Sequence, residues 1–122
     1  MIFYLLYFKN NMCNIPNLVQ NSNEDMATRA RTLRIECMSL LDLARAMDGE
    51  IRDMVRAGRQ GDRQSFMSRI EDCGSRSFQR CSEFLLVMVH CGVSNSVLDL
   101  ARRVFRTHWA RIKKMERIVS NW

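Results

Sequence analysis

Apolar or small residues recur at every third or fourth position across residues 30–58, without a miss. They are Ala30, Leu33, Cys37, Leu40, Ala44, Met47, Ile51, Met54 and Gly58. Because an α-helix turns once in about 3.6 residues, this spacing keeps all of them on one side of a helix. The sequence therefore predicts a long helix over residues 27–59 that packs lengthwise on other helices, as in a coiled coil.

The same spacing indicates two further helices, over residues 63–91 and residues 96–120. Asp62 is a candidate N-cap for the first of these, and Ser94 or Ser96 for the second. The second seam comprises Phe66, Ile70, Cys73, Ser77, Cys81, Phe84, Met88 and Cys91. The third comprises Val97, Leu98, Ala101, Val104, Phe105, His108, Ile112, Met115, Val119 and Trp122.

Short connections determine how these helices are arranged. Gly58 and Gly61 separate the first helix from the second, and Gly92 separates the second from the third. Helices joined by only a few residues must pack antiparallel. No stretch alternates with the two-residue period of a half-buried strand. The predicted fold is all-α, an elongated antiparallel three-helix bundle of residues 27–122 with a disordered N-terminal arm.

Two local patterns predict how parts of these helices meet solvent. Residues 84–89 are apolar on every side, so we expect the other helices or a partner to enclose that half of the second helix. In the first helix, Asp48 and Arg52 lie four residues apart and predict a solvated surface pair.

The first 25 residues differ in composition from the rest of the chain. They hold six Asn and no Arg, whereas every Arg follows residue 26. We predict a disordered extension over residues 1–26, and three interpretations of it stay open. It is an upstream extension of a protein that starts at Met26, a targeting or anchoring peptide, or a flexible arm whose aromatic tip folds back on the bundle. That tip, residues 1–8, is too short to span a membrane.

Charge and cysteine content restrict the class of protein. The net charge is +6, and 16 Arg stand against three Lys. Arginine suits bidentate contacts to phosphate or carboxylate, so the balance is compatible with nucleic acid or an acidic protein as partner. The five Cys are an odd, scattered set, unlike a secreted disulfide framework. A reducing compartment, nuclear or cytoplasmic, is the predicted location.

Motifs of catalysis and of metal binding are missing from the sequence. There is no glycine-rich phosphate loop, no H-E-x-x-H, no C-x-x-C and no G-x-S-x-G. Cys73 and Cys81 lie about 12 Å apart along one helix, too far to share a zinc ion. Of the two histidines, His108 falls on the apolar side of its helix, which is typical of a packed side chain. We therefore expect no enzyme activity, no cofactor and no metal.

The third helix carries nearly all of the net positive charge. Between residues 97 and 122 there are seven cationic side chains and two acidic ones. A single stripe holds Arg102, Arg106, Lys113 and Arg117, with Arg103 and Lys114 beside it. Trp109 lies next to this stripe. Such a face is either an ordinary solvated surface or a site for a phosphate backbone or an acidic protein.

Two functions follow as hypotheses. The first is a non-catalytic helical protein-interaction module, a small subunit or adaptor that joins a partner, or a second copy, through exposed helical seams. Its predicted contact residues are Leu40, Met47, Met54, Phe84 and Met88. The alternative is an RNA- or DNA-binding module in which Trp109 stacks on a base or sugar. Its predicted phosphate contacts are Arg102, Arg103, Arg106, Lys113, Lys114 and Arg117.

Overall fold

A computed structural model describes residues 24–122 and confirms the all-α fold. Its three helices are α1 (Glu24–Arg56), α2 (Arg63–His90) and α3 (Asn95–Ser120). Residues 24–122 contain no β-strand. Most of the predicted N-terminal arm lies outside the described residues, and its last three positions, residues 24–26, belong to α1.

Glycine ends α1, as the sequence predicts, but the helix is displaced toward the N-terminus. It begins at Glu24 instead of residue 27 and ends at Arg56 instead of residue 59. Gly58 takes a left-handed φ of 67°. Its amide donates to Val55 O at 3.1 Å, and the Arg59 amide donates to Met54 O at 2.8 Å. This paired arrangement is a Schellman motif, which closes the helix before the residue that carries the positive φ.

The two ends of α2 and the start of α3 are capped by residues that the sequence singled out. The Asp62 carboxylate accepts hydrogen bonds from the amides of Gln64 and Ser65, at 3.1 and 3.4 Å. Of the two candidate serines, Ser94 is the N-cap of α3, accepting from the Val97 amide at 3.4 Å, and Ser96 lies within the helix. Gly92, with a φ of 71°, closes α2. The caps therefore set connections of residues 57–62 and residues 91–94.

Ion pairs between α1 and α2 record their antiparallel register. Arg29 Nε donates to Glu83 Oε1 at 2.8 Å near one end of the bundle. Arg80 Nε lies 2.9 Å from Glu36 Oε2, and Arg69 Nη2 lies 3.1 Å from Glu50 Oε2 toward the other end. Residue numbers thus fall along α2 as they rise along α1. Exposed pairs of this kind contribute little stability, about 0–1 kcal/mol each.

The three seams meet in a core that is divided into two clusters. The cluster at the α2–α3 connection is formed by Ala30, Leu33, Cys37, Leu41, Cys81, Phe84, Val87, Met88, Val93, Leu98, Leu100, Ala101, Val104 and Phe105. The cluster toward the α1–α2 connection is formed by Leu40, Ala44, Met47, Ile51, Phe66, Ile70, Cys73, Ile112, Met115 and Val119. The predicted seams are therefore the core of the bundle.

This placement corrects the predicted contact residues of the interaction module. Leu40, Met47, Phe84 and Met88 are all buried among the three helices of one chain. Met54 is partly buried against the second cluster. The physical reason is that, in a bundle of three helices, each seam is covered by the seams of the other two.

Glycine positions show where the helices approach closely. Gly49, inside α1, has no atom within 4 Å of the place where a Cβ would lie, so it marks no helix crossing. The close approach is instead at the buried Gly74 of α2, where a Cβ would lie 3.5 Å from Ile112 Cγ2 of α3.

Alanine substitution at two glycines should change stability in opposite directions. Gly49→Ala adds a better helix former in open space and should raise the free energy of unfolding by about 0.5–1 kcal/mol. Gly58→Ala forces a side chain into left-handed backbone and should lower it by about 1 kcal/mol. Urea unfolding followed by circular dichroism measures both. A shift of both variants in the same direction would contradict the assigned backbone geometry.

Candidate functional site

Six of the seven cations of α3 are exposed. They are Arg102, Arg103, Arg106, Lys113, Lys114 and Arg117. Arg111 is the exception, because its side chain is mostly buried and its Nε lies 3.6 Å from Asp48 Oδ2 of α1. The structure thus places every predicted phosphate-contacting residue on the solvent side of one helix.

Only part of this charge is balanced by neighbouring carboxylates. Arg102 Nη1 lies 3.2 Å from Asp99 Oδ1, and Lys113 Nζ lies 3.4 Å from Glu116 Oε2. Within residues 24–122, the other four exposed cations of α3 form no ion pair. The outer side of α3 therefore carries a positive field that attracts anionic groups.

Trp109 lies at the boundary between α3 and α2, and its ring is in contact with both helices. The centroid of the Phe78 ring on α2 is 6.5 Å away, with the two ring planes inclined at 52°. Lys113 Nζ lies 5.0 Å from the Trp109 ring centroid, a cation–π geometry. Trp109 is 40% exposed and Phe78 is 67% exposed, so the aromatic pair stands open to solvent beside the cations.

Apolar side chains continue from Phe78 along α2. Leu86 is 64% exposed and Val89 is 55% exposed, while Leu85 is partly buried against the core. Residues 78, 82, 85 and 89 follow steps of three and four, so they share one side of α2, and Leu86, three residues before Val89, lies at the solvent-facing edge of that side. That side adjoins α3, because Phe78 meets Trp109 there.

We call this composite surface the α2/α3 face. It comprises Phe78, Leu85, Leu86, Val89, Trp109, Arg102, Arg106 and Lys113. Sequence reasoning identified its four α3 members and missed the α2 members as an exposed group. One signal for the α2 members was present in the sequence, namely the run of residues 84–89, which is apolar on every side. The bundle covers only part of that run.

Polar side chains inside the bundle form a separate group. His108 Nε2 lies 2.8 Å from Ser77 Oγ, and Cys73 Sγ lies 3.9 Å from the same hydroxyl. His108 is only 2% exposed. Burial, and secondarily the charge of Arg111, lowers the pKa of His108 to about 4. The imidazole is therefore neutral at pH 7, joining α2 to α3 rather than exchanging protons with solvent.

Asp48 is a second buried polar residue, which corrects the predicted solvated pair. It is 3% exposed. Its Oδ2 accepts from Arg52 Nη2 at 2.6 Å and also faces Arg111 of α3. The carboxylate is thus balanced by one arginine from its own helix and one from α3, a tertiary contact that spacing along α1 does not indicate.

Burial limits the reactivity of the cysteines in residues 24–122. Cys37, Cys73 and Cys81 are buried and Cys91 is partly buried, all four unpaired. A hydrogen bond with Cys81, together with burial, raises the pKa of the Cys37 thiol well above its usual range. Burial also raises the pKa of Cys73 and of Cys91. Thiols held protonated in this way are poor nucleophiles and poor metal ligands.

Neither a metal-binding cluster nor a membrane-spanning helix is found in residues 24–122. This part of the chain brings together no group of three His, Cys, Asp or Glu side chains that could hold a metal ion. None of its helices has both the length and the apolar character needed to cross a bilayer.

Comparison of the chain with protein-family models, with curated proteins and with solved structures finds no match. A proposal about function therefore depends on the geometry of the α2/α3 face and on the buried polar residues.

The buried His108 should make stability depend on pH. Unfolded His108 binds a proton near its ordinary pKa of about 6.5, whereas the folded protein resists protonation down to about pH 4. Between these values the unfolded state holds more protons, so stability falls as the pH falls. From pH 7 to pH 5 the loss from this residue should be about 2 kcal/mol.

Urea unfolding of wild type and His108→Gln at both pH values measures this contribution. The variant should lose about 2 kcal/mol less on acidification, because Gln does not titrate. An equal dependence in wild type and His108→Gln would mean that His108 does not resist protonation in the fold.

Proposed function

We propose that this protein is a non-catalytic protein-interaction module, a small subunit or adaptor, whose contact surface is the α2/α3 face. The observation that supports this most directly is the exposure of Phe78, Leu86, Val89 and Trp109, each at least 40% exposed. Exposed apolar side chains grouped along one part of a helix and bordered by charge are characteristic of protein–protein contact surfaces. The seam residues cannot take this role, because they are buried in the core.

The composition of the face also supports a protein partner. Aromatic residues and arginine are enriched among the residues that contribute most binding energy at interfaces. Phe78 and Trp109 restrain each other by packing, so less side-chain entropy is lost when a partner covers them. Phe78 and Trp109 thus form a partly preorganised aromatic pair flanked by Arg106 and Lys113.

A non-catalytic role is supported by where the reactive groups lie. Ser77, His108 and Asp48 are each no more than 3% exposed, so a substrate in solvent does not reach them. Protonated thiols likewise supply no nucleophile. The unpaired thiols further support a reducing compartment, nuclear or cytoplasmic.

Site-specific photo-crosslinking tests the interaction module in the cells that make the protein. A benzophenone amino acid at Leu86 should give a discrete crosslinked species, either with a partner or with a second copy. The same probe at Ile35, which is 58% exposed on α1, is the matched control and should give none. Adding Phe78→Ser to the Leu86 probe should abolish the crosslink.

Equal crosslinking from both positions, or none from Leu86, would contradict the proposal. Circular dichroism of each purified variant shows whether the helices persist, so that loss of a crosslink is not mistaken for loss of the fold.

RNA or DNA binding is a second candidate, supported by the six exposed cations of α3. Four of them form no ion pair within residues 24–122. Their helix could lie along a phosphate backbone, with Trp109 at its edge. Neutralising four to six phosphates makes an observed affinity fall steeply with salt.

Fluorescence anisotropy with single- and double-stranded RNA and DNA tests this candidate. Arg106→Glu/Lys114→Glu/Arg117→Glu should lower affinity by at least 100-fold at low salt if the helix binds phosphate. The control, Arg31→Glu/Arg59→Glu/Arg63→Glu, makes the same change of charge at exposed positions outside α3. No binding at low salt, or equal losses in the two variants, would exclude a nucleic-acid site on α3.

A further inference from the structure

We propose that the α2/α3 face binds an acidic amphipathic helix of a protein partner. This inference depends on the proposed interaction module and specifies the chemistry of its partner. The apolar side of the incoming helix would cover Phe78, Leu85 and Val89, and its carboxylates would face Arg102 and Arg106.

Helix geometry gives the face an elongated shape that suits a helix. From Phe78 to Val89 the α2 side chains extend over about 16 Å, which is three helical turns. Because α2 and α3 are antiparallel, the positions from Trp109 back to Arg102 run beside them in the same direction. An apolar ridge and a cationic ridge thus lie side by side over two to three turns, a length that a short amphipathic helix covers.

Charge favours an acidic partner over a second copy of this chain. A second copy placed on the same face would bring its own α3 cations toward Arg102, Arg106 and Lys113, and like charges repel. A helix with carboxylates along one edge would instead pair with the arginine guanidiniums, which bind carboxylates in bidentate geometry. On the α2 side, the exposed Ser75 and Ser82 add no charge of either sign.

The surroundings of Trp109 favour protein over nucleic acid on this face. Lys113 lies over the indole ring and Phe78 packs beside it, so a base could stack only after displacing a cation that is already in place. The exposed Leu86 and Val89 have no counterpart in a phosphate backbone. Apolar side chains on the partner would remove both from water, which stabilises the complex.

Selection from a peptide library tests the inference without knowledge of the natural partner. A displayed library of random 16-residue peptides is selected on the full-length protein, and binders to the double variant Phe78→Ser/Arg106→Glu are removed. Enriched peptides should carry apolar residues at helical spacing on one side and an excess of Asp and Glu on the adjoining edge.

The most enriched peptide is then made with a fluorescent label and titrated by anisotropy. Phe78→Ser and Arg106→Glu should each weaken its binding by at least tenfold. The matched controls Ile35→Ser and Arg31→Glu change an exposed apolar and an exposed cationic residue of α1, and should stay within twofold of wild type. Circular dichroism confirms that all four variants keep their helices.

Each other outcome separates this inference from the proposed function. Peptides that require Phe78 but show no excess of acidic residues would overturn the acidic helix and leave the interaction module standing. If a 20-nucleotide RNA displaces the peptides and its binding requires Arg106, the acidic helix is overturned and nucleic acid becomes the partner of this face. If no peptide is enriched, the acidic helix is overturned, and absence of crosslinks at Leu86 would overturn the interaction module as well.

Discussion

Three long seams of apolar side chains can leave water only by packing against one another, and this constraint determines the rest of the structure. The connections at residues 57–62 and residues 91–94 are too short for any arrangement but antiparallel neighbours. Once the seams are joined, their residues are no longer available to a partner. The proposed contact surface lies on sides of the helices that the core leaves out, and on the α2/α3 face exposed apolar side chains lie beside cations.

Polar contacts inside the bundle give this simple packing a definite register. Ser77 lies between Cys73 and Cys81 on α2, and His108 lies between Phe105 and Ile112 on α3, so their hydrogen bond sits where the two apolar clusters meet. Asp48 similarly ties α1 to α3 through Arg111. Aliphatic contacts tolerate sliding, whereas a buried hydrogen bond or ion pair is lost when the register slips. The same register brings Phe78 against Trp109.

Features set by neighbouring residues along the chain could be predicted from the sequence. The seams, the break at Gly58 and the Asp62 cap each depend on a few residues of local pattern, and the structure confirms them. The burial of Asp48 could not be predicted in this way. It results from contact with Arg111, which lies 63 positions further along the chain, on α3. The predicted contact residues were wrong for a related reason. Periodicity identifies a side that must be covered, without saying whether the chain itself or a partner covers it.

The α2/α3 face combines residues whose exposure could be predicted from the sequence with residues whose exposure could not. Its cations could be predicted from spacing along α3 alone. Its apolar half could not, because Phe78 directly follows the seam residue Ser77 and its exposure depends on where α3 lies. The run at residues 84–89 indicated a helix that needs covering on all sides, and the bundle covers Phe84, Val87 and Met88 while leaving Leu86 and Val89 in solvent.

The proposed function requires that core and contact surface be separate sets of residues on the same helix. Comparing Phe78→Ala with Phe84→Ala by urea unfolding tests it most directly. Phe84→Ala should lower the free energy of unfolding by about 3–5 kcal/mol, because it empties the centre of a cluster. Phe78→Ala should lower it by less than about 1 kcal/mol, since the ring is mostly in solvent. Similar losses for the two variants would place Phe78 in the core and contradict the assignment of the α2/α3 face to partner binding.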